Sequence, residues 1–372
     1  MAAPLEPRRV SDHRSRRIAA LLDGLTAAHV DALLVTSLAN VRYLTGFSGS
    51  SALLLVSQRD AVLITDFRYQ IQAADEVGDV ARVTIEQQSL WTGLWQQLTQ
   101  VPGIQVVGFE SAHLLHRDFQ RLMEAGSRWQ WRPTLDLVET LRERKDANEV
   151  RLIERAAAVA IRALERTLAE VRVGMTELQV AGVLERALRD EGSEGFPFPS
   201  IVATGPRSAL PHARASAAKI RDGDLLLLDF GAEVEGYCAD VTRTVVVGRA
   251  SDDQREIYDV VREANEQASR EIRAGMSGRD ADAIARGYIE RRGFGDLFGH
   301  GLGHGVGLEV HEAPRLARTA DGALAEGSVV TIEPGVYRPG WGGVRIEDDV
   351  VLDAAGPRIL TKFTRELLEL KS

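Results

Sequence analysis

Apolar residues at the start of the chain recur first with a helical period and then in short runs. Residues 14–28 predict an amphipathic helix, and its apolar positions are Ile18, Leu21, Leu22 and Leu25. Three short apolar runs follow, ALLVTS, SALLLVS and AVLITD, and runs of this length predict β-strands. Only a polar turn at residues 58–60 separates the second run from the third, so we expect a hairpin there.

The alternation of helices and strands continues to residue 133. Residues 94–98 lie in a helical stretch, IQVVGFE predicts a further strand, and another helix passes through Phe119 and Met123. Such alternation indicates an α/β domain. We therefore predict a first domain over residues 1–133.

A long helical segment follows the first domain. From Leu135 the chain is rich in helix-forming residues, and one face of the segment is apolar over several turns. The apolar positions on this face are Val150, Ile153, Ala157, Ile161, Leu164 and Leu168. We place the second domain at residues 134–372.

The second domain contains an internal repeat. The segment VGMTELQVAGVLERALRDEG is similar to AGMSGRDADAIARGYIERRG, and repeated segments of this kind indicate repeated structural units. Thr176 with Gln179, and Ser277 with Asp280, have the spacing of a helix-capping box, although Asp is a less usual partner. We expect two similar α/β halves, with a small-molecule site between them.

Composition and charge restrict the classes of partner. The chain has 45 basic and 54 acidic residues and a formal charge of −9, which argues against nucleic acid or an anionic membrane as the main partner. No apolar run approaches the roughly 20 residues that span a bilayer, and the polar start of the chain argues against a signal peptide. The single cysteine, Cys238, favours a reducing compartment. We expect a cytoplasmic protein that acts on small substrates.

Two aspartates interrupt neighbouring apolar strands. Asp229 ends the leucine run of DLLLLDFG, and Asp240 begins DVTRTVVVG. A carboxylate at the end of a buried strand needs a partner, and metal binding is one interpretation. The alternative is that Asp240 pairs with Arg243 or caps a turn.

Three histidines lie within a glycine-rich segment. GHGLGHGVGLEVHE contains His300, His304 and His311, and its glycines allow the backbone to approach a ligand closely. A flexible surface loop is the alternative. The combination of clustered histidines and nearby acids favours a metal site.

Two glutamates complete the pattern. Glu333 lies before a proline in SVVTIEPGVY, and Glu347 lies in GVRIEDDVVL; Glu347 could instead pair with Arg345. We expect Asp348 and Asp349 to face solvent. Four carboxylates and one histidine at strand ends predict a site for two divalent metal ions, and oxygen-rich ligation favours manganese, cobalt or zinc.

These motifs resemble those of the creatinase and prolidase family, which contains proline-specific peptidases. The similar segments are LDFG, DVTRT, HGVGLEVHE, TIEPG and RIED, together with NVRYLTGFSGSSALLLV and LRERKDANEV nearer the start of the chain. The resemblance implies an α/β (α+β) protein with two domains. A creatinase-like N-terminal domain would precede a pita-bread metallopeptidase domain, the fold shared with methionine aminopeptidase, with an internal pseudo-two-fold repeat.

The resemblance implies the metal ligands and their ions. It assigns ligation to Asp229, Asp240, His304, Glu333 and Glu347. Each subunit would hold two divalent metal ions, for which we expect manganese, with zinc and cobalt as alternatives. It also implies a homodimer.

Catalytic and substrate-binding roles follow from the same resemblance. Glu333 would transfer the proton, His311 would donate a hydrogen bond to the developing oxyanion, and His212 and His300 would contact the substrate around the scissile bond. We also expect Arg345 to orient the neighbouring acids.

Arg315, in HEAPR, lies where prolidase-like members have an arginine able to bind the terminal carboxylate of a substrate. The alternative for Arg315 is an ordinary surface arginine.

We therefore expect an Xaa-Pro peptidase that acts on small peptides with proline at the second position. We favour the aminopeptidase P type, with an Xaa-Pro dipeptidase (prolidase) as the alternative. Creatinase itself works without metal, and the N-terminal domain argues against methionine aminopeptidase. A non-catalytic pita-bread binding protein would be expected to lack some of the ligands that this chain retains.

Overall fold

The computed structural model describes residues 13–371. The chain folds as two compact units, and the boundary lies between Arg142 and Glu143. The residues before His13, on which the signal-peptide prediction rests, lie outside the described part. None of the helices in residues 13–371 has both the length and the apolar character needed to cross a membrane.

The first unit alternates helices and strands, as the sequence predicts. Its helices are α1 (His13–Ala27), α2 (Leu38–Thr45), α3 (Gln70–Val77), α4 (Leu90–Gln100), α5 (His116–Ala125) and α6 (Glu139–Arg142). Its strands are β1 (Ala32–Val35), β2 (Ala52–Ser57), β3 (Ala61–Asp66), β4 (Arg82–Glu86), β5 (Val106–Glu110) and β6 (Gln130–Thr134). The strands form one sheet in the order β4-β3-β2-β1-β5-β6.

The predicted hairpin of the first unit is confirmed. Strand β2 pairs with β3 in antiparallel register, so that Val56 lies opposite Ala61. The outer pairs β3–β4 and β5–β6 are parallel, which requires a crossover connection; helices α3 and α5 provide it. The predicted helix near the start is also present as α1, where Leu21 and Leu25 are buried.

The second unit is larger, and its described residues, 143–371, form four α-helices. They are α7 (Ala147–Glu170), α8 (Glu177–Asp190), α9 (Asp252–Glu271) and α10 (Gly278–Arg291). Its strands as far as residue 332 are β7 (Ile201–Thr204), β8 (Asp224–Val234), β9 (Tyr237–Val247), β10 (Gly303–Gly305), β11 (Glu312–Leu316) and β12 (Val329–Ile332). The remaining strands are β13 (Gly335–Arg338), β14 (Gly342–Arg345), β15 (Asp348–Asp353), β16 (Gly356–Ile359) and β17 (Glu369–Leu370).

Three sheets are built from these strands. Their orders are β17-β9-β8-β7, β11-β10-β12-β15-β16 and the pair β13-β14. All six apolar positions expected on one face of α7 are buried, where they contribute to a core with β8 and β9. Burial of this apolar face is the main driving force for packing the helix against the sheet.

The internal repeat is confirmed by matching backbone hydrogen bonds. In the first half, Gly174 donates to the carbonyl of Ile220, and in the second half Gly275 donates to that of Leu324. Thr176 and Gln179 form a complete capping box at the start of α8. At the start of α10, the Ser277 side chain accepts from the backbone N–H of Asp280. Only this half of the capping box forms there, because the Asp280 side chain is shorter than that of Gln179.

A two-residue turn sets the register of the longest hairpin. Glu235 and Gly236 connect β8 to β9, and both have positive φ, 49° and 76°, as in the tight turns whose twist matches that of paired strands. Asp229 consequently lies opposite Thr242, and Gly231 lies opposite Asp240. Positions two apart on a strand face the same side, so the turn brings the two aspartates onto one face.

Helix α8 provides a test of core packing within one element. Leu184 is fully buried, whereas Leu178 is 56% exposed. We predict that Leu184→Ala lowers the free energy of unfolding by about 2–4 kcal/mol, because it leaves a cavity. Leu178→Ala should change it by less than about 0.5 kcal/mol. Urea denaturation measures both; equal losses in the two variants would contradict the packing described here.

Candidate metal centre

The hairpin of β8 and β9 supplies the first two carboxylates. Asp229 and Asp240 are both buried. Asp229 accepts a hydrogen bond from the guanidinium of Arg345, which was expected to orient the acids. Arg243, which the sequence offered as an alternative partner of Asp240, instead forms an ion pair with Asp348 at 2.8 Å.

His304 lies on β10 with its Nε2 directed at the acids. That atom is 3.8 Å from Oδ2 of Asp240 and 3.5 Å from Oε1 of Glu333. Its Nδ1 lies 3.0 Å from the carbonyl of Gly305, so a proton on Nδ1 leaves Nε2 as the free ligand atom.

A neighbouring glycine explains the local sequence pattern. A Cβ atom on Gly303 would lie 2.0 Å from the carbonyl oxygen of Thr331, a distance that real side chains do not adopt. Glycine at this position therefore lets β10, and His304 with it, lie against β12.

The two glutamates are placed by the ends of β12 and β14. Glu333 follows β12, and its backbone N–H donates to the carbonyl of Leu302. Glu347 accepts a hydrogen bond of 2.6 Å from the hydroxyl of Thr242. One ligand atom from each of Asp240, His304 and Glu347 lies within 4.8 Å of the others, which is a separation that a single cation can bridge.

Burial and mutual repulsion dominate the electrostatics of these groups. Burial raises the pKa of Glu333 to about 8. Burial, together with the charges of the neighbouring carboxylates, raises the pKa values of Asp240 and Glu347 well above their ordinary values. Burial lowers the pKa of His304 to about 4. The site therefore disfavours the free anions and favours a neutral histidine, which is the form that ligates metals.

A hydrogen-bonded chain connects His300 to the acids through a residue that the sequence analysis missed. Nε2 of His300 lies 2.9 Å from the hydroxyl of Tyr337, which accepts a 2.7 Å hydrogen bond from Arg345. Arg345 in turn donates to Asp229. Tyr337 follows Glu333 by four residues in TIEPGVY, but a tyrosine in a strand is usually a packing residue, so its position carried no signal.

The predicted site residues that remain are His311, Arg315 and His212, and they lie near these carboxylates and His304. The ring of His311 packs edge-on against that of His304, with centroids 4.4 Å apart. Arg315 lies opposite His304 in the β10–β11 pair. His212 is exposed to solvent, and its charge contributes to lowering the pKa values of both His300 and His311, after the larger effect of desolvation.

The prediction that Asp348 and Asp349 face solvent is wrong, because both are fully buried. Asp348 pairs with Arg243 and Arg365; burial alone would raise its pKa, but these cations lower it. Asp349 accepts a 3.1 Å hydrogen bond from the backbone N–H of Asp240. Every residue of β15 from Asp348 to Leu352 is buried, so both faces of this strand are covered by other parts of the protein.

Comparison with known proteins decides the family. The pattern of metallopeptidase family M24 matches residues 151–354, and that of the creatinase/prolidase N-terminal domain matches residues 17–144. The chain belongs to metallopeptidase family M24. This M24 enzyme therefore has a creatinase-like N-terminal domain and a pita-bread catalytic domain.

Three relatives of this M24 chain cover nearly all of it. An Xaa-Pro dipeptidase of Pyrococcus horikoshii is 34% identical over 359 residues, which are 96% of this chain and 100% of the relative. The solved structure of an Xaa-Pro dipeptidase from Bacillus anthracis has a TM-score of 0.93 and 41% identity, covering 96% and 100% of the two chains. That of an X-Pro aminopeptidase from Thermotoga maritima has a TM-score of 0.87 and 37% identity, covering 94% and 99%.

The side chains of this M24 enzyme fit a divalent metal ion. Oδ1 of Asp240 is buried and has no hydrogen-bond partner, which is costly for an oxygen that no cation contacts. The nearby donors are carboxylate oxygens and one imidazole nitrogen, the groups that hold manganese, cobalt or zinc.

The raised pKa of Glu333 predicts how the stability of the metal-free peptidase depends on pH. The folded protein keeps a proton on Glu333 up to pH about 8, whereas an ordinary glutamate loses it near 4.5. The free energy of unfolding therefore falls as the pH rises through this window. Between pH 6.5 and 8 we expect the fall to be larger in the wild type than in Glu333→Gln by about 1–2 kcal/mol.

Chemical denaturation in the presence of a chelator, at several pH values, measures this difference. Glu326→Gln, which changes an exposed glutamate of the same unit, is the control and should follow the wild type. Identical pH dependence in the wild type and Glu333→Gln would show that Glu333 ionises as it does in water.

Proposed function

We propose that this M24 enzyme is an Xaa-Pro peptidase that hydrolyses the bond between an N-terminal residue and a following proline. The observation that carries the proposal is the convergence of Asp240, His304 and Glu347, with ligand atoms within 4.8 Å of one another, in a chain of this family. The names of the relatives support the choice of substrate.

Within this proposal we favour the dipeptidase over the aminopeptidase. The expected aminopeptidase P preference finds less support among the relatives, because a relative named as a dipeptidase is 41% identical and the one named as an aminopeptidase is 37% identical. The difference is small. The aminopeptidase therefore remains the second candidate.

We propose that two divalent ions, manganese in the first place, are held by Asp229, Asp240, His304, Glu333 and Glu347. Four carboxylates carry more negative charge than one divalent ion neutralises, which supports a pair of ions. When bound, such ions supply Lewis-acid polarisation of the scissile carbonyl and lower the pKa of water.

The protein's own groups would then move the proton. Oε1 of Glu333 lies 3.5 Å from Nε2 of His304, among the proposed ligands, and a carboxylate beside the attacking water can both accept and return a proton. We assign to Glu333 the transfer of a proton from the attacking water to the leaving nitrogen of proline. That nitrogen needs a proton to leave as an amine.

The histidines would orient the substrate around this centre. Burial lowers the pKa of His300 to about 4, so the ring is neutral at pH 7 and can donate only one N–H. We assign to His311 a hydrogen bond to the developing oxyanion, and to His300 and His212 contacts with the substrate. Arg345, which donates to Asp229 and to Tyr337, would hold the carboxylates in place.

We also propose that Arg315 binds the terminal carboxylate of a dipeptide. Its side chain is exposed and lies on β11 beside His304. A tripeptide places its carboxylate one residue farther from the scissile bond. An arginine at a fixed distance therefore favours the shorter substrate.

The length preference is tested by comparing an Xaa-Pro dipeptide with an Xaa-Pro-Yaa tripeptide in the presence of manganese. We predict a higher kcat/KM for the dipeptide. Arg315→Ala should lower kcat/KM for the dipeptide by about 10- to 100-fold, since hydrogen bonds to a charged group are lost, and should affect the tripeptide much less.

Arg318→Ala is the matched control, because Arg318 is exposed and pairs with Glu290; it should keep the wild-type ratio. Faster hydrolysis of the tripeptide would select the aminopeptidase. Equal losses on both substrates in Arg315→Ala would remove the carboxylate-binding role. Hydrolysis of neither peptide by the metal-loaded wild type would overturn the proposed function.

The homodimer and the cytoplasmic location stay predictions. Light scattering on the purified protein measures the first, and fractionation of the source cells measures the second.

A further inference from the structure

Residues 205–216, which lie between β7 and β8 and which we call the 205–216 loop, carry His212 but have little secondary structure of their own. Only residues Gly205–Ala209 form a short helical turn, and His212 is exposed near its middle. A loop of this kind is mobile unless other parts of the protein hold it.

One buried carboxylate contacts both ends of this loop. Glu177, at the first position of α8, is completely buried. Its Oε1 accepts a 2.9 Å hydrogen bond from the backbone N–H of Thr204, where the loop begins. Its Oε2 accepts from the backbone N–H and the hydroxyl of Ser216, at 2.9 Å and 2.6 Å, where the loop ends.

An arginine within the loop contributes a third connection. Nε of Arg207 donates to both carboxylate oxygens of Glu177, at 2.9 Å and 3.0 Å, and its Nη2 donates to the carbonyl of Arg214 at 2.8 Å. Glu177 and Arg207 together therefore join positions 204, 207, 214 and 216. Hydrogen bonds to a buried charge are stronger than neutral ones.

The middle of the loop meets the catalytic centre. The carbonyl of Pro211 lies 3.4 Å from Nη2 of Arg345, and the hydroxyl of Ser208 accepts a 2.8 Å hydrogen bond from the backbone of Gly343. His212 is adjacent to Pro211, so a shift of the loop would change the position of His212 relative to Arg345.

The internal repeat shows that the helix start does not itself require an acid there. The two halves share the same backbone pairing, since residue 177 donates to Ala218 and residue 278 donates to Gly322. Gly278 takes the place of Glu177 in the second half, where a Cβ would lie 2.1 Å from the carbonyl of Arg315. In the second half, the segment that pairs with the helix start is therefore held by direct backbone packing. Only the first half uses a carboxylate for this purpose.

We propose that Glu177 is a positioning residue that holds the 205–216 loop so that His212 meets the substrate. The inference rests on the proposed function for the role of His212. The hydrogen bonds of Glu177 to Thr204, Arg207 and Ser216, which we call the clamp, do not depend on the proposed function.

The clamp is measured by hydrogen exchange on the full chain. In Glu177→Gln the side chain keeps an oxygen for Thr204 but loses the charge and the second acceptor. Backbone amides in residues 205–216 should exchange about tenfold faster or more, because a charge-assisted bond is lost, while those of α9 stay unchanged. Unchanged exchange in the loop would overturn the clamp, whichever peptide the enzyme cleaves.

The effect on catalysis is measured by a double-mutant cycle. Glu177→Gln and His212→Ala should each lower kcat/KM for the preferred Xaa-Pro peptide by about tenfold or more. The double variant should be little worse than His212→Ala alone, since residues that act through one another are not additive. Independent, additive losses would overturn the positioning role, and so would full activity in His212→Ala.

Two further variants separate positioning from a general loss of stability. Glu149→Gln alters another buried glutamate of the same unit, which accepts from Tyr237 at 2.9 Å, and should leave loop exchange unchanged. If Glu177→Gln does not fold, Ser216→Ala removes one donor only and should raise loop exchange to a smaller extent. Equal loop exchange in Ser216→Ala and the wild type would contradict the clamp.

Discussion

The repulsion among buried carboxylates is the constraint on which the catalytic unit depends. After the larger effect of burial, the charges of Asp229 and Glu333 raise the pKa values of Asp240 and Glu347, and removing a charge from water costs several kcal/mol per ion even before this repulsion. Arg345 offsets part of it through Asp229. The remainder requires protons or metal ions, and this requirement is the physical reason that the fold and the metal chemistry belong together.

Rigid elements keep the acids together against this repulsion. A two-residue turn fixes the register of β8 and β9, and Gly303 lets His304 approach β12. The two similar halves contribute to one centre, Asp229 and Asp240 coming from the first and His304, Glu333 and Glu347 from the second. In each half, a later segment of the chain pairs with the start of a helix. Only the first half uses a buried carboxylate, Glu177, to hold that segment.

Much of this arrangement could be predicted from the sequence, because acids in apolar runs and glycine-framed histidines are unusual and local. The β2–β3 hairpin and the repeat also have local signals. Asp348 and Asp349 were misplaced, since strand alternation does not reveal that both faces of β15 are covered. Tyr337 and Glu177 gave no signal, because a tyrosine in a strand and a glutamate at a helix start are ordinary. Their roles depend on contacts with residues far away in the sequence.

The metal content of the purified protein shows whether these carboxylates and His304 hold divalent ions. After loading with manganese and gel filtration, elemental analysis should find two ions per chain in the wild type and a clear loss in Glu347→Gln, in parallel with peptidase activity. Full activity in a wild-type protein that carries no ion, or an unchanged ion content in Glu347→Gln, would contradict a metal-dependent mechanism at this site.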